Sequence, residues 1–269
     1  MLASVLPFAA YTANLMGGLI DKAWDLMVEG KLDEAEAILL DILRREPTNF
    51  SARVSLGHLF LEKGALRSAW REFKNVVKEV LGEKEISSLN EGQRHAVSWA
   101  YLGLGDILIQ RFAYPQAEIA LMKADYASSN PAAYSLLGIL ARKYRKDLAL
   151  SETIHKEIQQ ASPNEFAGNK IFLAIVYLYE GKRKEAEKII EGIKDKETYT
   201  LELAAFYSVA GDAQKAFDHL KKSLDAYSLY PARRRQILEY LQRDEDFKNL
   251  RDFPPLQEFI RKSGVHPER

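Results

Sequence analysis

The 269-residue chain contains no cysteine, which excludes disulfides, thiolate metal sites and a cysteine nucleophile while leaving its redox compartment open. It also lacks net charge. Its 38 Lys and Arg balance 38 Asp and Glu, so no global field draws it to nucleic acid or to an anionic membrane. The five histidines, His58, His95, His155, His219 and His266, include no i, i+4 pair, and no HExxH occurs, so no metal site is expected. The sequence has neither a GKS/GKT phosphate loop nor a GxSxG elbow, and Gly103-Leu104-Gly105 lacks the third glycine of a dinucleotide loop. No catalytic residue, cofactor or small-molecule substrate is therefore assigned. The chain is expected not to be an enzyme.

Charge is missing from one segment altogether, the first twenty residues, MLASVLPFAAYTANLMGGLI. A secretory signal would begin with a positive region, and Pro7, Thr12 and Asn14 interrupt a spanning helix. Residues 1–15 are read as an apolar segment packed on the first helical unit of the chain. A membrane anchor, an export signal and a loose tail stay open for residues 1–20. The expected location is cytoplasmic, with a membrane-anchored or periplasmic protein as the alternative.

What the sequence does have is a comb. A small residue (Ala23, Gly57, Gly105, Gly138, Ala174, Ala204) is followed twelve positions later by Ala35, Ala69, Ala117, Leu150 (beside Ala149), Ala186 and Ala216. Glycine stands seven after the small residue at Gly30, Gly64, Gly181 and Gly211, where it can end a helix in the left-handed region. Apolar residues cluster at helical spacing around each tooth, for example Leu56, Phe60 and Leu61, then Ala35, Leu39 and Ile42. Paired small residues let two helix axes approach closely, so each unit should be an antiparallel helix pair. Such periodicity means stacked units rather than one closed core.

These residues resemble the tetratricopeptide repeat family, in a bacterial type of helical repeat protein. The resemblance covers roughly residues 16–230 and is carried by AWDLMVEGKLDEAEAILLDILRREPTN and LGHLFLEKGALRSAWREF. It implies an all-α, right-handed superhelical solenoid of about six stacked antiparallel helix pairs with a C-terminal helical cap. The units read as about 16–49, 50–83, 98–130, 131–166, 167–196 and 197–230, with an insertion near 84–97 and capping helices in 231–269. Steps between successive small residues are 34, 48, 33, 36 and 30. The long step places an insertion where Asn90 and Gln93 have capping-box spacing, so a helix should start early and run to about Gln110. The short step predicts a truncated second helix near 185–194. Unit four departs most, with Arg145 in place of glycine and Leu150 in place of alanine. In the C-terminal segment, Phe247, Leu250, Leu256 and Phe259 are expected to cover the last repeat, and the acidic trio Asp244–Asp246 to start a helix. The basic run Arg233–Arg235 is read as solvated or capping.

In such a stack the first helices line an inner wall. Residues one and four after each small residue, and three before it, share one helical face. The partner-binding candidates on this stripe are Trp24, Met27, His58, Leu61, Leu102, Asp106, Ile109, Arg142, Ile171, Ile175 and Leu178, with Trp99 beside them. Trp24 and Trp99 are candidate anchors, and Arg142, Lys143, Glu62 and Gln110 edge the groove, Arg142 as a rim residue. His58 and Asp106 stand at equivalent positions of successive units, which suggests a groove pair rather than an acid–base couple. Family members that clamp a chaperone's C-terminal carboxylate use lysine, asparagine and arginine here; Trp24, His58 and Asp106 stand where asparagine is expected. The mostly apolar stripe instead suits a peptide or amphipathic helix of another protein. The expected function is a protein-interaction scaffold or adaptor; the alternative is an envelope assembly factor tethered through residues 1–20. Nucleic acid is not an expected partner. Self-association through the N-terminal segment stays open.

Overall fold

The computed structural model describes residues 15–161, 167–194 and 196–263, and among these there is helix but no strand. They fall into two compact units, one of residues 15–133 and one of residues 134–263. Among the described residues no helix is long and apolar enough to cross a membrane. The N-terminal segment, residues 1–14, and His266 lie outside the described residues.

The first unit is built from α1 (Leu15–Val28), α2 (Leu32–Arg45), α3 (Phe50–Glu62), α4 (Leu66–Leu81), α5 (Glu91–Gln110) and α6 (Tyr114–Ser128). Its helices pack in consecutive pairs, and each pair turns over within three residues. The predicted glycines make the turns: Gly30 and Gly64 have φ of 75° and 76°. In the third pair Phe112 stands at that position with φ of 59°, a left-handed conformation that costs a bulky residue about 1 kcal/mol or more. The teeth meet as expected, with Ala23, Ala35, Ala69 and Ala117 all 0% exposed. Asn49 caps α3 by accepting a 3.0 Å bond from the Ala52 amide. Asn90 and Gln93 close a capping box that starts α5 at Glu91, after a short 3-10 turn at Ile86–Ser88.

Phe73 explains a glycine that the comb does not. Its ring is fully buried between α3 and α5. A Cβ at Gly57 would fall 2.5 Å from Phe73 Cε1, and one at Gly103 only 2.2 Å from Cζ. Gly103 is therefore a slot for an aromatic ring of the preceding pair.

The second unit contains most of α7 (Pro131–Lys143), then α8 (Leu148–Ala161), α9 (Ala167–Tyr179), α10 (Arg183–Glu191), α11 (Thr200–Val209), α12 (Ala213–Ala226), α13 (Pro231–Arg243) and α14 (Pro254–Ser263). The predicted truncation is visible in α10, which has nine residues. Ala174, Ala186, Ala204 and Ala216 are again 0% exposed. The expected tooth at Leu150 is not there: Leu150 is 37% exposed, and Ser151 is buried in its place. The cause is one extra turn residue. Four residues, 144–147, join α7 to α8, so the left-handed position moves to Lys146 (φ 57°) and the tooth on α8 shifts by one residue. Gly138 consequently lies against His155 and Ile154, its hypothetical Cβ 2.9 Å from His155 Nε2.

Candidate functional site

In the first unit, α1, α3 and α5 bring the stripe residues together, but largely against one another. The rings of Trp24 and His58 are 5.7 Å apart, those of His58 and Trp99 5.8 Å, and those of His58 and Phe73 5.0 Å. Trp24 Nε1 donates to Ser55 Oγ at 2.9 Å, and the Ser55 hydroxyl donates in turn to the Ser51 carbonyl at 3.0 Å. The two tryptophans are 8% exposed and His58 is 5% exposed. Leu61, Leu102 and Ile109 are also buried, whereas Met27 and Asp106 are half-buried. Burial pushes the His58 pKa down to about 4, against the opposing charge of Asp106, so the imidazole is neutral at pH 7. Held among three aromatic rings, it packs rather than exchanges protons with a solute.

In the second unit the corresponding stripe on α7, α9 and α11 is occupied by the chain's own C-terminal segment. The 3-10 helix Glu245–Leu250 packs on α11, and Asn249 Nδ2 donates to the Ser208 carbonyl at 2.8 Å. Asp246 faces α7, where Arg142 Nη1 and Nη2 donate to its two carboxylate oxygens at 2.6 and 2.8 Å. Lys143 Nζ lies 2.7 Å from Asp246 Oδ2, and it also pairs with Asp244 and with the Tyr240 hydroxyl. Tyr179 of α9 donates its hydroxyl to Asp246 Oδ1 at 2.9 Å. The Asp244 carboxylate accepts the Asp246 amide at 2.9 Å, so it does cap the short helix, as its sequence position suggested. The trio is nevertheless more than helix-start chemistry: Asp244 and Asp246 are counter-ions inside the fold.

Arg142 therefore is not a rim residue. It is 6% exposed, Lys143 is 8% exposed, and both are neutralised from within. Burial disfavours charge on both members of the Arg142–Asp246 pair, but the mutual attraction dominates. The Asp246 carboxyl is held well below the usual carboxylate range, and the Arg142 guanidinium is pushed up. Ile171 and Ile175 are buried, and Leu178 is half-buried. Ile139, Ile175 and Ala205 of the stripe, with Tyr240 and Phe247 of the C-terminal segment and the charged Arg142, Lys143 and Asp246, line a small pocket of about 10 Å³. That is room for about one water. Of the basic run, Arg233 is buried rather than solvated, 7% exposed with its guanidinium 5.4 Å from the Tyr227 ring centre, while Arg235 is exposed.

Composition and periodicity could not supply Asp246, Tyr179 or Tyr240. The available signal was weak: two adjacent cations in an otherwise apolar stripe, and an acidic pair elsewhere in the chain. A second polar knot was likewise unforeseen. His155 and Ser135 share the Asn169 carbonyl oxygen at 2.7 and 3.3 Å, and Asn169 Nδ2 donates to the His155 carbonyl at 2.8 Å. His155 thus carries its proton on Nδ1, and burial lowers its pKa to about 4. Among the described residues no group of three acidic or histidine side chains is placed to hold a metal ion.

No protein-family model matches the chain, and no curated protein matches it. Among solved structures it is similar to Pseudomonas aeruginosa pilF, with a TM-score of 0.50 and 16% identity over 92% of this chain and 97% of that one. It is also similar to MamA (TM-score 0.42, 19% identity, 76% and 96% covered) and to a tetratricopeptide repeat protein from Parabacteroides merdae (0.46, 16%, 93% and 98%). The buried comb, the left-handed turns and the pilF likeness give one conclusion: this chain has the all-α helical-repeat fold of tetratricopeptide repeat proteins.

Proposed function

We propose that the protein is a non-catalytic interaction module whose first unit takes a short segment of another protein on the stripe of α1, α3 and α5. The observation that carries this reading comes from the second unit. There the equivalent face holds a short acidic–aromatic segment, Asp244–Phe247, by burying Phe247 and pairing Asp246. The same helix face is thus suited to hold a chain segment. With its own stripe filled, the second unit offers Arg142, Lys143, Ile171 and Ile175 to its own C-terminus rather than to a partner.

In the first unit the fully buried members of the stripe set its shape. The half-buried stripe residues Met27 and Asp106, the half-buried groove-edge residues Glu62 and Gln110, and the edges of Trp24 and Trp99 meet the partner. A partner segment of mixed apolar and polar character, an extended peptide or one face of a helix, matches that mixture.

The test is affinity capture from native lysate with the full chain and three variants. Met27→Asp and Gln110→Lys should lose the captured partner while keeping wild-type helicity. Lys74→Glu, on the exposed side of α4, should retain it. Capture that survives both stripe variants but fails with Lys74→Glu would move the functional surface to the second helices.

A further inference from the structure

We propose that α6 is a self-association helix, through which two copies of this chain pair side by side, parallel, about a two-fold axis. The outward faces of α4 and α10 are charged, with Arg71, Lys74 and Lys78 on the one and Arg183, Lys184 and Glu187 on the other, while α2 and α8 each expose a single large apolar residue, Leu40 and Leu150. On α6 the corresponding face is apolar. Ile119 and Met122 are each 57% exposed and Tyr126 is 70% exposed, with Pro115 also exposed one turn earlier. The opposite face, Ala117, Leu121 and Ala124, is fully buried, so this exposure is not a helix waiting to pack within its own unit.

Spacing and charge identify the occupant. Pro115, Ile119, Met122 and Tyr126 step by four, three and four, the alternation of the a and d positions in a two-stranded coiled coil. In that register Glu118 is a g position and Lys123 is the e position five residues on. In a parallel pair, a g residue faces the e residue five places further along the other strand. Two Glu118–Lys123 pairs would therefore flank the seam symmetrically. An antiparallel pairing would set Glu118 against Glu118 and Lys123 against Lys123 instead. The helix is its own complement in only one of the two orientations.

The seam spans about three turns, at the small end of interface sizes, so the dimer should be concentration-dependent, with a Kd in the range of roughly 10–100 µM. Sedimentation equilibrium of the full chain should show a monomer–dimer equilibrium. Ile119→Asp should raise the Kd by about tenfold or more, because it places a carboxylate in the seam without touching the buried face. Glu118→Lys and Lys123→Glu should each weaken the dimer, and the double exchange should restore it.

Because the chain has no cysteine, Met122→Cys gives a single thiol. In a buffer of oxidised glutathione it should form a disulfide-linked dimer, while Lys74→Cys on α4 should not. A wild-type chain that stays monomeric up to about 500 µM would overturn the proposal. So would a dimer indifferent to Ile119→Asp, or one in which Met122→Cys cross-links no better than Lys74→Cys.

Discussion

The Arg142 guanidinium grips the Asp246 carboxylate with two parallel hydrogen bonds across 104 positions of sequence, and the two side chains are 5% and 4% exposed. Removing one partner leaves a charge stranded in the interior, which typically costs about 3–5 kcal/mol. Arg142→Ala should therefore be strongly destabilising in urea unfolding. Replacing both partners together, Arg142→Met with Asp246→Leu, should recover much of the loss, because the desolvation penalty disappears along with the attraction. A single substitution as mild as a surface Lys74→Ala would show that the pair is not closed to water.

A second expectation concerns acid. His58 and His155 have folded pKa values near 4 against about 6.5 when unfolded, so between these values the unfolded chain binds more protons. Stability should be complete above pH 6.5 and fall as pH drops toward 4, by about 1.4 kcal/mol per pH unit for each histidine. Asp246 adds a further loss only below the ordinary carboxylate pKa, because its own value is lowered. Melting followed from pH 7 to pH 4.5 should show the slope. His155→Asn should remove part of it, and a flat profile in the wild type would contradict the burial of both rings.

Gly103 and Phe73 give a packing test. Gly103→Ala forces a methyl group into the space of the Phe73 ring, and overpacking of this kind costs about 1–3 kcal/mol. Phe73→Leu alone should also destabilise, by leaving a cavity. The double variant should be less destabilised than the sum of the two, and strict additivity in a double-mutant cycle would place the ring elsewhere.

The turn at Lys146 offers a gain. Lys146 has φ of 57°, and its ion pair with Glu245 is mostly exposed, so it contributes little. Lys146→Gly should raise stability by up to about 1 kcal/mol. Gly181→Ala, at φ of 76°, should lower it by about 1 kcal/mol. Melting temperatures of the two variants moving in the same direction would contradict the turn assignment.

These tests fall where the sequence was most and least legible. Helix pairs could be read because their signals are local: a glycine seven residues on, an alanine twelve on, an asparagine three before a glutamine. The same reasoning failed at Leu150, since one extra residue between α7 and α8 shifts the register and periodicity cannot see an insertion that small. On the stripe it could not give depth. Trp24, His58 and Trp99 do share a face, as their spacing required, but adjacent first helices lie close enough for their rings to meet, so most of each ring faces a neighbour. Arg142 looked like a rim residue because its counter-ion lies 104 positions away, and no local pattern records that pairing.

The most direct test of the functional account is hydrogen exchange of the full chain, free and bound to the partner recovered by capture. The account predicts slowed exchange in α1, α3 and α5 on binding, with Glu245–Leu250 equally protected in both states. Protection gained instead along the second helices, or release of Glu245–Leu250 when the partner binds, would contradict it.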